Sequence, residues 1–219
     1  MSTPSLAGRR IVVSAGPTFE DLDPVRFLGN RSSGKTGFAI AAAAAARGAR
    51  TVLVAGPVSL ATPAGVERVD VRSAAQMHAA VMAALPADVY IGAAAVADFT
   101  PARVSDHKIK KRPGEDGLVL QLVRTADILA DVAASARRPS LVVGFAAETG
   151  DVEANARGKL ERKRLDLVCA NRVGLAGSGF ESDDNALLVI GDGLRRELGP
   201  ASKVELADAL LDLVAERLG

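Results

Sequence analysis

The sequence is short of nearly every residue type that builds a reactive centre by itself. Of 219 residues, one is cysteine (Cys169), two are histidine (His78 and His107) and none is tryptophan. A lone cysteine excludes an intramolecular disulfide and any CxxC-type zinc site, and two histidines argue against a metal centre built on imidazoles. Aromatic residues make up 3% of the chain, too few for a stacking platform that holds single-stranded nucleic acid. Charge of one sign is lacking as well. The 27 basic and 26 acidic side chains leave +1, without the strongly basic face of a dedicated nucleic-acid binder. The longest apolar run, Gly37–Ala46, stops at Arg47, well short of the roughly 18–20 residues that span a bilayer. Met1–Gly8 carries no apolar core of a secretory signal. The expectation is a soluble cytoplasmic protein with neither a nucleic-acid nor a membrane partner.

What is present is a chain that is 48% hydrophobic with almost no net charge, a balance that excludes disorder for most of it. At about 150 residues per domain, one large α/β unit accounts for the length. Residues 1–219 are read as a single domain, with 1–8 as a flexible N-terminus. Short apolar runs at Ile11–Ser14, Thr51–Ala55, Val66–Val71, Val89–Ala97, Leu141–Phe145, Leu165–Ala170 and Leu187–Ile190 read as strands. Several are continuously apolar, as parallel strands covered on both faces must be. Helix-period stretches fall between and after them, at Lys35–Gly48, Ser73–Leu85, Thr125–Ala136, Asp151–Lys163 and Ser202–Leu218. Ser73 reads as an N-cap and Gly48 as a C-cap. The alternation predicts a doubly wound, mostly parallel sheet with helices on both faces and right-handed crossovers. Leu118–Val123, after a Pro-Gly turn, adds a small β segment outside the parallel core.

Several motifs carry chemistry, each beside a plainer reading. Gly29–Thr36 (GNRSSGKT) matches GxxxxGK[ST] in full. A true phosphate loop follows directly on a strand, whereas here PTFEDLDPVRFL separates it from the nearest expected strand. Three readings stay open: a nucleotide-triphosphatase loop, a glycine turn into the Lys35 helix, or backbone amides holding another anion at that helix start. Ser14–Thr18 (SAGPT) falls where a strand ends, where doubly wound sheets collect ligands. No GxGxxG is present there and no lysine follows Tyr90 at the Tyr-x-x-x-Lys spacing, which removes the support for oxidoreductase chemistry. Gly92–Asp98 (GAAAVAD) ends a strand in small residues and a carboxylate. Small side chains permit close approach of a planar ligand, and Asp98 suits a ribose hydroxyl, a metal-bound water or a lysine; tight packing is the plainer account. His107–Arg112 (HKIKKR) concentrates basic charge in an expected loop, either as solvated surface or as cations for a polyphosphate. Lys159 and Lys163 are four apart and share one helix face. Cys169 reads as a small buried hydrophobe, and His78 as structural.

Taken in order, SAGPT (14–18), LDPVRF (22–27), NRSSGKTGFAIA (30–41), GPVSLATP (56–63), AAAVADF (93–99), KIKK (108–111), VGFAAET (143–149) and LDLVCAN (165–171) resemble the phosphopantothenate–cysteine ligases. In bacteria these form the C-terminal half of a bifunctional coenzyme A biosynthesis flavoprotein. The resemblance covers about Arg10 to Leu218 and implies a Rossmann-like domain. It also implies a two-step reaction. The carboxylate of 4′-phosphopantothenate attacks the α-phosphate of CTP to give an acyl-cytidylate and pyrophosphate, and the amine of L-cysteine then displaces CMP. Mg²⁺ is implied with the triphosphate, its ligands unassigned. The flavin-binding decarboxylase half, which would act next, is not among these residues, so no flavin is expected.

Carried over by motif, Gly92, Ala93, Ala94 and Asp98 are implied as nucleotide contacts, with Phe145, Lys159 and Lys163. Lys108 corresponds to the lysine that meets the triphosphate. Arg124, Thr125 and Ala126 occupy a nucleotide-facing turn where relatives often carry Lys-Asn-Pro. Asn30 corresponds to the asparagine that handles the acyl intermediate and Arg26 to an arginine of the substrate site. A homodimer with substrate near the subunit boundary is implied too. Two rival functions remain at this point: a phosphate-loop NTPase or kinase using Gly29–Thr36, and a nucleotide-binding module without catalysis.

Overall fold

The runs of apolar residues pair with one another because strands covered on both faces can bury every side chain. In the computed structural model, which describes residues 5–111, 114, 116–148, 150–172 and 184–219, the chain opens with β1 (Arg10–Ala15). A hairpin of β2 (Phe19–Asp21) and β3 (Phe27–Gly29) leads to α1 (Lys35–Ala46). Next come β4 (Arg50–Ala55), β5 (Val66–Asp70), α2 (Ala74–Ala83) and β6 (Val89–Gly92). A short antiparallel pair, β7 (Phe99–Pro101) with β8 (Leu122–Arg124), precedes α3 (Ile128–Ala134). The alternation resumes with β9 (Leu141–Glu148), α4 (Val152–Lys163) and β10 (Leu167–Arg172). It closes with β11 (Asp184–Gly191), β12 (Leu194–Ser202) and α5 (Lys203–Leu218).

Among the described residues the main sheet has eight strands in the order β12-β11-β10-β9-β6-β1-β4-β5. Neighbours from β10 through to β5 run parallel, while β11 and β12 add antiparallel at the β10 edge. The strand order reverses between β1 and β6, which makes that junction the topological switch point. Period-2 alternation divides the core. Ile11, Val13, Leu53, Ile91 and Val143 pack with α1 and α5, and Val12, Val54, Tyr90 and Val142 pack with α2, α3 and α4. Each fully buried aliphatic side chain, such as Leu210, contributes roughly 1.5–3 kcal/mol.

Local signals set the helix ends. Ser73 and Ser202 each form a reciprocal capping box, with Gln76 and Glu205. Gly48, at φ 86°, stops α1 as expected. Gly37 lets α1 lie against the end of β1, since a Cβ there would come within 2.5 Å of the Ala15 Cβ. No helix among the described residues is long and apolar enough to cross a membrane.

Four expectations need correction. The strand read over Val89–Ala97 is regular only to Gly92, although the segment beyond it stays paired with the chain after β1: Ala93 and Ala95 donate to Ser14 O and Gly16 O, and Pro17 and Ala95 form an isolated parallel bridge. The helix read from Thr125 starts at Ile128, since Asp127 caps it by accepting from the Ala130 N–H. Leu118–Val123 shortens to β8, which pairs with β7 outside the main sheet. A strand does lead into GNRSSGKT, but it is β3 of the small hairpin and not a strand of the parallel sheet. The hairpin itself and the polar edge strand β12 have no counterpart in the sequence reading.

Candidate active site

Parallel strands in a doubly wound sheet leave a crevice outside their carboxyl ends at the switch point, and here two clefts open there. Cleft 1, of about 570 Å³, runs over the start of α1 and includes Asn30, Gly34, Lys35, Asn171, Asn185 and Lys203. Cleft 2, of about 560 Å³, lies over the start of α3 and includes Ser14, Tyr90, Gly92, Asp127, Lys159 and Lys163. Ala94, Val96, Asp98 and Phe145 line both, so the segment after β6 is a wall between them.

That wall is pinned through its backbone, which is why small side chains suffice. From the β1 side, Thr18 N–H donates to Ala95 O and the Thr18 hydroxyl accepts from Ala97 N–H at 3.0 Å. Asn30 Nδ2 also donates to Ala95 O, at 3.0 Å. On the other side the Thr125 hydroxyl donates to Ala97 O at 2.6 Å, and its N–H donates to Asp98 O. Asn30 and Thr125 therefore brace opposite sides of one segment.

Cleft 2 has a cationic side. Lys159 and Lys163, successive turns of α4, both reach it; Lys159 Nζ donates to Phe145 O at 2.5 Å and Lys163 Nζ lies 2.8 Å from Asp127 Oδ2. Burial pushes the Asp127 carboxyl up, but the Lys163 bond, the Ala130 amide and the nearby Lys159 charge outweigh it and hold the group below its ordinary value. At the floor, Tyr90 shares a 3.0 Å hydrogen bond with Ser14, and burial pushes its phenol well above the usual range. In cleft 1, α1 begins at Gly34 (φ 77°) without a side-chain cap.

The structure brings together most of the residues singled out from sequence. Gly92, Ala94, Asp98, Arg124, Thr125, Ala126, Phe145, Lys159 and Lys163 line cleft 2, while Asn30 and Ala93 line cleft 1. Lys108 and Arg26 line neither. Lys108 is exposed, and the Arg26 guanidinium is bound to Asp23 and to Ile109 O at 2.6 Å each. Missed from sequence were Asp127, Tyr90 and Leu129 in cleft 2, and Asn185 and Lys203 in cleft 1. Asp127 was accessible as an N-cap preceding an apolar helical run. Cys169 is buried, and burial alone pushes its thiol up to about 12. His78 pairs with Asp131 across α2 and α3, outside the linings of both clefts.

Fold and site together define a Rossmann-like α/β domain with two clefts at its switch point, each lined by basic side chains. The chain belongs to the family described as the DNA/pantothenate metabolism flavoprotein C-terminal domain, whose model matches residues 6–218. It is 50% identical over 214 residues to the coenzyme A biosynthesis bifunctional protein CoaBC of Vibrio cholerae, covering 97% of this chain and 54% of that protein. It is 51% identical over 209 residues to the CoaBC protein of Escherichia coli K12, covering 94% of this chain and 52% of that one. The chain thus spans about half the length of these relatives. Among solved structures, it resembles the crystallised C-terminal domain of a CoaBC protein with a TM-score of 0.83 and 38% identity, covering 99% of this chain and 98% of that one.

Proposed function

We propose that this domain is a CTP-dependent phosphopantothenate–cysteine ligase of coenzyme A biosynthesis. The observation that carries the reading is the pair of clefts sharing the wall after β6, with Lys159 and Lys163 in one and Asn30 with Lys35 and Lys203 in the other. In the first step a carboxylate oxygen of 4′-phosphopantothenate bonds to the α-phosphorus of CTP and the bond to the β-phosphate oxygen breaks, releasing pyrophosphate. In the second the L-cysteine amine attacks the acyl carbon, loses a proton, and CMP leaves with the electron pair of the anhydride bond.

Cleft 2 suits the triphosphate. Lys159, Lys163 and Arg124 supply positive charge where negative charge gathers in the transition state. Gly92 and Ala94 admit the nucleotide close to the backbone, with Ala93 reaching it from the cleft 1 side of the wall; Asp98 takes a ribose hydroxyl, and Phe145 and the Thr125–Ala126 turn flank it. Cleft 1 then takes the phosphopantothenate side, with Asn30 handling the acyl-cytidylate. Arg26 serves the substrate and Lys108 the triphosphate from the basic loop. Among the described residues no group of three His, Cys, Asp or Glu side chains is arranged to hold a metal alone. A Mg²⁺ ion would then be held mainly by the phosphates and water, where it would neutralise phosphate charge.

Phe27, Phe99, Leu122 and Val123 are exposed on the two small antiparallel sheets, which supports a homodimer with substrate near its boundary. A flavin-dependent decarboxylase is the partner that consumes the product. The decisive assay supplies 4′-phosphopantothenate, L-cysteine, CTP and Mg²⁺ to the purified protein. Pyrophosphate and CMP are expected; no pyrophosphate overturns the reading, and faster release with ATP than with CTP overturns its nucleotide preference.

A further inference from the structure

Asp23 lies at the turn of the β2–β3 hairpin with its side chain fully buried. Its Oδ1 accepts from the Val25 and Arg26 N–H groups, at 2.8 Å each. Its Oδ2 accepts from Arg26 Nε at 3.1 Å, from Arg26 Nη2 at 2.6 Å, and from the Ile109 N–H at 3.0 Å. Arg26 Nη2 then donates to Ile109 O at 2.6 Å. Both polar backbone groups of Ile109 are thus held by one ion pair more than eighty residues earlier in the chain. Ser105 N–H donates to Leu22 O and fixes the same loop at a second point. The loop so anchored presents Lys108, Lys110 and Lys111 to solvent. The hairpin that anchors it runs directly through β3 into Asn30, which is tied to the wall at Ala95.

A buried carboxylate whose bonds, besides one to the Val25 N–H, go to one partner arginine and one distant backbone amide joins two parts of the chain. Charge-assisted hydrogen bonds of this kind fix geometry as well as adding energy. We infer that Asp23 is the positioning residue of the basic loop: through Arg26 and Ile109 it joins Lys108 and Asn30 into one unit. The inference rests on the ligase reading for what Lys108 does, and it assigns Arg26 a first duty in the clamp. Asp23 touches no reacting atom and acts through the residues it holds.

Two variants test it. Asp23→Asn keeps the side-chain size and removes the charge; Ile109→Pro removes the N–H that Asp23 receives, also restricting the backbone at 109 and at Lys108 before it, and leaves the Asp23–Arg26 pair. Pyrophosphate release and trypsin cleavage after Lys110 and Lys111, sites that neither variant alters, are measured on wild type and both variants. Both variants are expected to lose at least ~10-fold in kcat with KM for CTP little changed, and to be cut several-fold faster in the loop. A role confined to general stability would instead lower the folded fraction, seen as reduced CTP-binding stoichiometry, without slowing the molecules that remain folded. Should Asp23→Asn fail to fold, cleavage of Ile109→Pro after Lys110 and Lys111 decides alone. Wild-type kcat and wild-type cleavage in the folded variants overturn the inference. Wild type that releases no pyrophosphate overturns the ligase reading instead; the clamp is then judged by cleavage alone, and equal cleavage overturns it.

Discussion

Lys163 on α4 and Asp127 at the start of α3 face each other at 2.8 Å across the mouth of cleft 2. The lysine side chain keeps 19% of its exposure and the carboxylate 46%, so the pair is a wet one. Such pairs contribute about 0–1 kcal/mol to stability, whereas the same ammonium is worth more opposite a triphosphate. Lys163→Gln is expected to leave the unfolding midpoint nearly unchanged and to weaken CTP binding roughly 10-fold, about 1.4 kcal/mol. Calorimetric titration measures it; unaltered affinity would remove Lys163 from the nucleotide site.

Lys108→Gln tests the basic loop itself. A cation that meets the triphosphate only as charge develops should cost turnover, so the variant is expected to lose at least ~10-fold in pyrophosphate release, about 1.4 kcal/mol of transition-state stabilisation. Equal rates for variant and wild type would return HKIKKR to ordinary solvated surface.

Asn30→Asp exchanges a donor for an anion at the wall. Its Nδ2 bond to Ala95 O is lost, while cleft 2 keeps its lysines. CTP binding is expected to persist while conversion of the acyl-cytidylate to product falls, so that intermediate accumulates in rapid-quench samples. Full overall turnover would count against that role.

How legible the molecule was depends on the length of the signal. The strands at Ile11–Ser14 and Thr51–Ala55 could be read because continuous apolar runs between helices leave few other solutions. The hairpin Phe19–Asp21/Phe27–Gly29 could not, since three-residue strands show no period and LDPVR resembles any polar turn. The end of β6 was overrun because GAAAVA is as apolar as a strand and its backbone stays bonded to the chain at Ser14 and Gly16 after the regular strand has ended. Individual site residues were visible as motif chemistry, and the wall they share was not. Asp23 lay inside a quoted motif, yet its partner Ile109 is a backbone amide, which leaves no trace in sequence.

Packing at the end of β1 yields a stability prediction. A methyl at Gly37 would meet the Ala15 Cβ at 2.5 Å and the Ala15 Cα at 3.2 Å, neither of which can swing aside. Gly37→Ala is expected to cost about 1–3 kcal/mol by overpacking, despite alanine's better helix propensity. Urea denaturation checks it, and a midpoint at or above wild type would show that α1 shifts freely.

The Asp23 carboxyl gives a pH signature. The Ile109 N–H, foremost, with the Arg26 guanidinium and the local amides, holds it far below its ordinary value of 3.8 against the opposing pull of burial. Its contribution is therefore complete above that unfolded value, declines as pH falls below it because the unfolded chain takes up the proton first, and vanishes once pH passes under the folded value. Between pH 7 and pH 3, wild type is expected to lose more stability than Asp23→Asn, in which the other carboxylates titrate alike. Equal losses by urea midpoint would mean the group titrates normally.

Because Ala94, Val96, Asp98 and Phe145 each face two compartments, neither chamber can be remodelled at that partition without disturbing its neighbour. A change in the shape of one cleft alone must come from the outer flanks, Arg124–Ala126 on one side and Asn171 or Asn185 on the other. Sequence drift that alters ligand choice should be concentrated there, leaving the partition itself the slowest part of the crevice to change.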